Sequence, residues 1–283
     1  MARFDVQTGR YVFVTVDGIE YRVYFEETGR GIPIILQHTA GSDGRQWRHL
    51  LADPEFQRDF RMVAYDLPYH GKSVPPSDLE WWRKEYKLTK DFLMKFVVAT
   101  AHELEMDRPV YMGSSIGGNL ATDLALHYPK EFRAIIGVEA GIRTPGTWED
   151  HWAHPRVHNE YKASVMYGLM APQSPEKWRR ETTWCYSQGA PRVFKGDLWY
   201  YSVEHDLTET AEQIDTSITP LYLLTGEYDW ASTPEMSQEL SRRIKGSKYQ
   251  TMYGLGHFPM SEDPERFKEY IAPVLREIRS RSG

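Results

Sequence analysis

Cysteine is nearly missing: Cys185 is the single thiol in 283 residues. One thiol excludes an internal disulfide framework and suits a reducing compartment. No catalytic motif surrounds it, so it reads as a small buried hydrophobe. Long apolar runs are missing too. No stretch approaches the roughly 18 residues a membrane-spanning helix needs, and Met1-Ala2-Arg3-Phe4-Asp5 has no apolar leader core. Charge of one sign is scarce: 34 Lys+Arg against 40 Asp+Glu leave a formal −6. So mild an imbalance argues against a nucleic-acid or anionic-membrane partner. Repeats and low-complexity segments are absent. These absences describe a soluble, cytoplasmic protein whose partner is a small molecule. Its length predicts one large core with an insertion.

The chain alternates strand and helix signals. Tyr11 to Val16, the turn Asp17-Gly18 and Ile19 to Phe25 predict a hairpin. Ile32 to Leu36, Arg61 to Tyr65, Val110 to Met112, Phe132 to Val138, Pro220 to Thr225 and Lys248 to Tyr253 predict further, mostly buried strands. Helical spacing appears over Thr89 to Glu105, after Ser115 to about Tyr128, and from about Pro264 to Arg279. Such alternation implies an α/β fold, a mostly parallel sheet with helices on both faces and ligands beyond the strands' carboxyl ends.

Residues 142–214 break this rhythm. They hold five of the nine tryptophans, Trp148, Trp152, Trp178, Trp184 and Trp199, and no clear buried strand. A structureless loop of that length is improbable. The segment is therefore expected to be a helical cap inserted into a core made of 1–141 and 215–283. A minority of its aromatics should line an apolar pocket, and its aromatic surface leaves self-association as a homo-oligomer open.

Gly113-Ser114-Ser115-Ile116-Gly117 lies between a strand and a helix, the pattern of a nucleophile elbow. The glycines permit a turn too tight for side chains, and the turn lifts the Ser115 hydroxyl above the sheet. A serine needs a base, and the base needs an acid. His257, in a glycine-flanked loop after a strand, is the expected base. Asp229 is the expected acid, with Glu227 as fallback. Glu139, at the end of the strand after the elbow helix, could replace the acid, touch substrate or cap the insertion. The order Ser115, Asp229, His257 is that of one hydrolase class. Oxyanion donors are expected at Ile116 N–H and, in the loop after Leu36, at Ala40 N–H. His38 is expected to buttress that loop or reach substrate. With Thr39, Glu139, Trp152, Trp184, Trp230 and Phe258 it completes the expected substrate contacts. His151, His154 and His158 suggest metal ligation, but Pro155 breaks their register and no carboxylate completes a site. Trp81 and Trp82 are expected to anchor a loop on the following helix.

Together these motifs resemble the α/β-hydrolase family, in particular its capped esterases and the carbon–carbon hydrolases of meta-ring-fission products. The resemblance rests on His38-Thr39-Ala40-Gly41 with Trp47, Asp66 to Ser73, the elbow, Gly226-Glu227-Tyr228-Asp229 and Gly256-His257. It implies an eight-stranded sheet, a Ser-Asp-His triad and no metal or organic cofactor. Two residues depart from the family pattern, Thr39 and Tyr69, both where glycine is usual. Serine at 115 argues against the similar epoxide hydrolase and haloalkane dehalogenase branches, which use aspartate there. The leading expectation is a carboxylic ester hydrolase of a substrate with a ring or bulky apolar part. A carbon–carbon hydrolase would need a polar group for its enol, and Arg143 and Arg192 are conceivable. A slow ligand receptor is the third reading, but a binding module needs neither a base nor an oxyanion hole.

Overall fold

The computed structural model describes residues 2, 4–190 and 192–281. Among these residues eight strands form one sheet: β1 (Thr8–Val16), β2 (Ile19–Gly29), β3 (Ile32–Gln37), β4 (Phe60–Tyr65), β5 (Val110–Ser114), β6 (Ala134–Val138), β7 (Leu221–Gly226) and β8 (Lys248–Met252), in the order β1-β2-β4-β3-β5-β6-β7-β8. β2 runs antiparallel to both its neighbours and every other pairing is parallel. Asp17 and Gly18 take positive φ, 49° and 78°, the geometry that a two-residue hairpin turn requires.

The helices are α1 (Arg48–Leu51), α2 (Pro54–Asp59), α3 (Lys90–Glu103), α4 (Ile116–His127), α5 (Glu160–Gly168), α6 (Glu176–Ser187), α7 (Val193–Trp199), α8 (Pro234–Arg243), α9 (Pro259–Glu262) and α10 (Pro264–Ser280). Two cores flank the sheet. Leu93, Phe96 and Val97 of α3 and Leu120 and Leu124 of α4 pack on Ile35, Val63 and Tyr111. Phe267, Ile271 and Leu275 of α10 pack with Trp47 on Ile34, Leu36 and Met112. The central strands β3 and β5 are thus apolar on both faces, as buried parallel strands are. The sequence reading passed over α8, although Thr233 caps it by accepting Met236 N–H (3.4 Å) and Pro234 opens it, a standard start signal.

Between β6 and β7 the chain leaves the sheet. This excursion carries α5, α6 and α7 and, among the described residues, no strand beyond an isolated bridge from Arg143 to Asp206. It is fastened to α4 through buried Asp123, whose Oδ2 receives the Tyr200 hydroxyl (2.7 Å) and His205 Nδ1 (2.8 Å). Trp81 and Trp82 border a groove that Phe92 of α3, the following helix, also lines. Trp81 meets Tyr69 (6.3 Å between centroids) and Trp82 (5.8 Å) edge-on, and both indoles are exposed. No described helix is long and apolar enough to cross a membrane.

Candidate active site

The elbow follows from local geometry. β5 ends at Ser114, α4 begins at Ile116, and Ser115 between them sits at φ 59°, ψ −111°. That conformation is costly for a residue with a Cβ. Its neighbours make the turn possible: a Cβ on Gly113 would come within 2.6 Å of Gly117 O, and one on Gly118 would overlap Val138 O. Ser115 N–H donates to Val138 O (2.9 Å), pinning the turn to β6.

The structure brings three expected residues together. His257 Nε2 lies 3.0 Å from Ser115 Oγ, and His257 Nδ1 lies 2.6 Å from Asp229 Oδ2. Asp229 Oδ1 accepts Ala231 N–H (2.8 Å) and Ser232 N–H (3.1 Å). Burial pushes the Asp229 carboxyl up, but His257 and these donors hold it below the usual carboxylate range. His257 N–H donates to Leu169 O (3.0 Å), so the excursion between β6 and β7 holds the histidine loop. The fallback acid is elsewhere: Glu227 accepts Gly254 N–H (2.9 Å). Glu139 is fully buried below Asp229 and accepts Gly226 N–H. Glu139, Asp229 and His257 each present a ligand-type atom within 4.8 Å of one another. Their facing atoms already hold hydrogen-bond partners, so the group fits a proton-sharing network rather than a cation site. His151, His154 and His158 form no such cluster among the described residues.

Ile116 N–H and Ala40 N–H, both buried, have no acceptor among the described residues. Ile116 N–H also opens α4, where the helix dipole favours negative charge. The Ala40 loop is held from several sides. Thr39 N–H donates to Gln46 Oε1 (2.9 Å) and Gly41 N–H to Asp197 Oδ2 of α7 (2.6 Å). His38 lies behind this loop, away from the cavity wall: its Nε2 accepts Leu67 N–H (3.1 Å), so Nδ1 donates to Thr39 O (2.8 Å). Burial, aided by the charge of His70, pushes His38 down to about 4, so it stays neutral in its supporting position.

Ser115 and His257 open on a cavity of about 190 Å³. Thr39 and Ala40 form part of its lining, and Val165, Met166, Leu169, Tyr186, Phe194, Leu198 and Tyr201 come from the segment between β6 and β7. Trp152 and Trp230 line it as expected from sequence, and His151 lines it unexpectedly. Four expected contacts are corrected: His38, which lies behind the Ala40 loop, and three others. Trp184 is 56% exposed on the outer face of α6, where the Arg45 guanidinium lies over its ring (5.5 Å). Phe258 is buried behind the wall, its ring packed on His257 (4.9 Å) and Tyr186 (5.3 Å). Glu139 has no exposure to the cavity at all. Arg143 is exposed beside Asp206, and Arg192 borders a separate surface groove. Sequence reading missed Tyr201, whose hydroxyl meets Ser232 Oγ at 2.8 Å and also lies beside Ser115 and Thr144. It sits where α7 runs into a turn of π-helix over 200–204, an irregularity common at functional sites. Nothing local in the sequence signals that turn.

Residues 34–269 match the model of the alpha/beta hydrolase family, and the chain belongs to that family. Rat bifunctional epoxide hydrolase 2 is 23% identical over 96% of this chain, and the chain spans only 56% of that relative's length. The 2-hydroxymuconate semialdehyde hydrolase of a Pseudomonas species is 27% identical over 44% of this chain and 43% of its own. Among solved structures, a thermophilic esterase from Thermogutta terrifontis superposes with TM-score 0.82 at 21% identity, covering 96% of this chain and 99% of the esterase. At that identity the superposition speaks for the fold alone.

Proposed function

We propose that the protein is a serine hydrolase that cleaves small carboxylic esters through an acyl-enzyme. The reading is carried by one relationship: Ser115 Oγ lies 3.0 Å from His257 Nε2 at the floor of an apolar cavity. In the reaction, Ser115 Oγ attacks the acyl carbon while His257 Nε2 takes the hydroxyl proton. Asp229 orients the imidazole and balances its charge. Ile116 N–H and Ala40 N–H receive the oxyanion of the tetrahedral intermediate. His257 then returns the proton to the departing alcohol. Water, deprotonated by His257, attacks the acyl carbon, and Ser115 leaves as the acid is released.

The wall chemistry supports an ester over the alternatives. About 190 Å³ lined mostly by aliphatic and aromatic side chains, with Thr147, Glu149 and His151 among them, suits a small acyl or aryl group. No lysine or arginine lines it among the described residues, and Arg143 and Arg192, the residues considered for handling an enol, lie outside it. An epoxide-opening reading finds a hydroxyl, not a carboxylate, at position 115. The test uses p-nitrophenyl esters of graded acyl length with and without a serine-directed phosphonate. Ester turnover abolished by one adduct, located on Ser115 by mass spectrometry, is the expected outcome. An adduct without ester turnover would shift the substrate to diketones or amides. Neither adduct nor turnover would leave the receptor reading in place.

A further inference from the structure

We propose that Glu139 is a positioning residue for the triad, a neutral acid that donates its carboxyl proton to Asp229 and so fixes the aspartate that orients His257. This rests on the triad reading above and assigns a role the triad does not include.

Glu139 stands just past the carboxyl end of β6 at φ 59°, a left-handed conformation, and has no exposed surface. On one side its two oxygens share the Gly226 N–H, at 3.0 and 3.2 Å. On the other, its carboxyl faces that of Asp229, an oxygen of each lying within 4.8 Å. Two carboxyls can share a hydrogen bond only if one carries a proton. The surrounding donors decide which. Asp229 Oδ1 accepts two backbone N–H groups, and Oδ2 faces His257 Nδ1. That nitrogen must donate if Nε2 is to accept the Ser115 proton. Every neighbour of Asp229 is therefore a donor, which fits the anion. Glu139 has a single backbone donor, and the groups around it are mostly acidic: Asp229, Glu262 at the end of α9 and, farther off, the phenol of Tyr249, with His257 beyond Asp229. The proton belongs on Glu139. Burial first, and Asp229 second, push its carboxyl well above the usual range.

The consequence is electrostatic as well as steric. A second carboxylate this close to His257 would favour the imidazolium and withdraw the base from the free enzyme. A neutral acid adds a fourth donor to Asp229 without adding that charge.

The full chain is assayed as wild type, Glu139→Gln, Glu139→Leu and Ser115→Ala. Turnover of a p-nitrophenyl ester is followed across pH, with infrared difference spectra of wild type against Glu139→Gln at neutral pH. Glutamine can donate to Asp229 and accept from Gly226 as the neutral acid does. Glu139→Gln is therefore expected to keep kcat within about threefold, with the acid limb of kcat/KM in place. Glu139→Leu, which lacks a donor, should lower kcat by about tenfold or more with KM little changed. The infrared difference should contain a protonated-carboxyl band. An acid limb moved to lower pH by more than about half a unit in Glu139→Gln would reveal a lost negative charge and overturn the proposal. A difference spectrum holding only carboxylate bands would do the same without depending on activity, as would a fully active Glu139→Leu. Ser115→Ala separates the two ideas. If it retains turnover the triad reading falls, while the infrared band still decides where the proton lies.

Discussion

His70 Nε2 lies 2.8 Å from Asp197 Oδ2, joining the turn after β4 to cap helix α7 with neither side chain open to solvent. His70 Nδ1 faces Pro68 O at 2.9 Å, so both ring nitrogens meet acceptors and the imidazolium satisfies both. Asp197 also receives Gly41 N–H and the Tyr86 hydroxyl (3.1 Å). The buried Asp197 side chain therefore ties together α7, the turn after β4 and the loop that carries Ala40.

This pair makes stability depend on pH with a defined sign. Burial alone would lower the His70 value, but the charge and hydrogen bond of Asp197 raise it above 6.5 overall. A raised histidine binds its proton more tightly folded than unfolded. The stabilisation is complete below the ordinary histidine value and lost as pH rises through the raised one. Other groups facing the pair are neutral His38, buried Asp66 and Lys162 of α5. Asp197→Asn is expected to lose about 3 kcal/mol or more near pH 6 by urea unfolding, as for a buried charge left unpaired. The deficit should shrink toward alkaline pH. A deficit constant with pH would mean that His70 is neutral in the fold.

Much of this architecture was legible because its signals are local. The elbow glycines, the Asp17-Gly18 turn and the apolar runs of β3 to β6 each specify backbone geometry within a few residues. Ser115 and His257 could be picked out for the same reason: each stands in a short glycine-flanked loop after a strand. What escaped depends on long-range packing. Trp184 and Trp152 are the same residue type in the same segment, and only the rotation of α6 turns one outward while Trp152 faces the cavity. The proton proposed for Glu139 depends on Asp229, 90 positions away, and the hold of α7 on the loop after β3 depends on Asp197 meeting Gly41. Sequence spacing carries no record of such pairings.

The acid assignment separates cleanly by substitution. Asp229→Asn should leave His257 with a partner that no longer requires Nδ1–H, and kcat should fall by about three to four orders of magnitude. Glu227→Gln should stay near wild type, because Glu227 serves Gly254 N–H and is not a partner of His257. Steady-state kinetics on the two variants settle the matter. A larger loss in Glu227→Gln would move the acid to that residue.

Tyr201 offers a test of whether the segment between β6 and β7 takes part in the proposed chemistry. Burial, with Asp229 second, pushes its phenol up to about 12, so at neutral pH it is a donor beside Ser115. Tyr201→Phe keeps the ring on the cavity wall and removes only the hydroxyl, leaving Ser232 Oγ short of a partner. A stability loss of about 1 kcal/mol is expected from that bond. If the hydroxyl also steadies the reacting serine, kcat should drop by about tenfold with KM little changed. An unchanged kcat with the same stability loss would confine Tyr201 to packing.

Substrate size should be set by Trp152. Its ring packs on Phe194 (4.8 Å) and Tyr161 (5.6 Å), its Nε1–H donates to Thr147 O (2.9 Å), and one face borders the cavity. Trp152→Ala removes that part of the wall without touching Ser115, His257 or the oxyanion loop. The preferred acyl chain in a p-nitrophenyl ester series should lengthen, with kcat/KM rising for long chains and falling for short ones that lose contact. Trp184→Ala is the matched control, since that indole lies outside against Arg45 and should leave the profile unmoved. If both substitutions shift the profile alike, or neither does, the cavity above Ser115 is not where the acyl group binds.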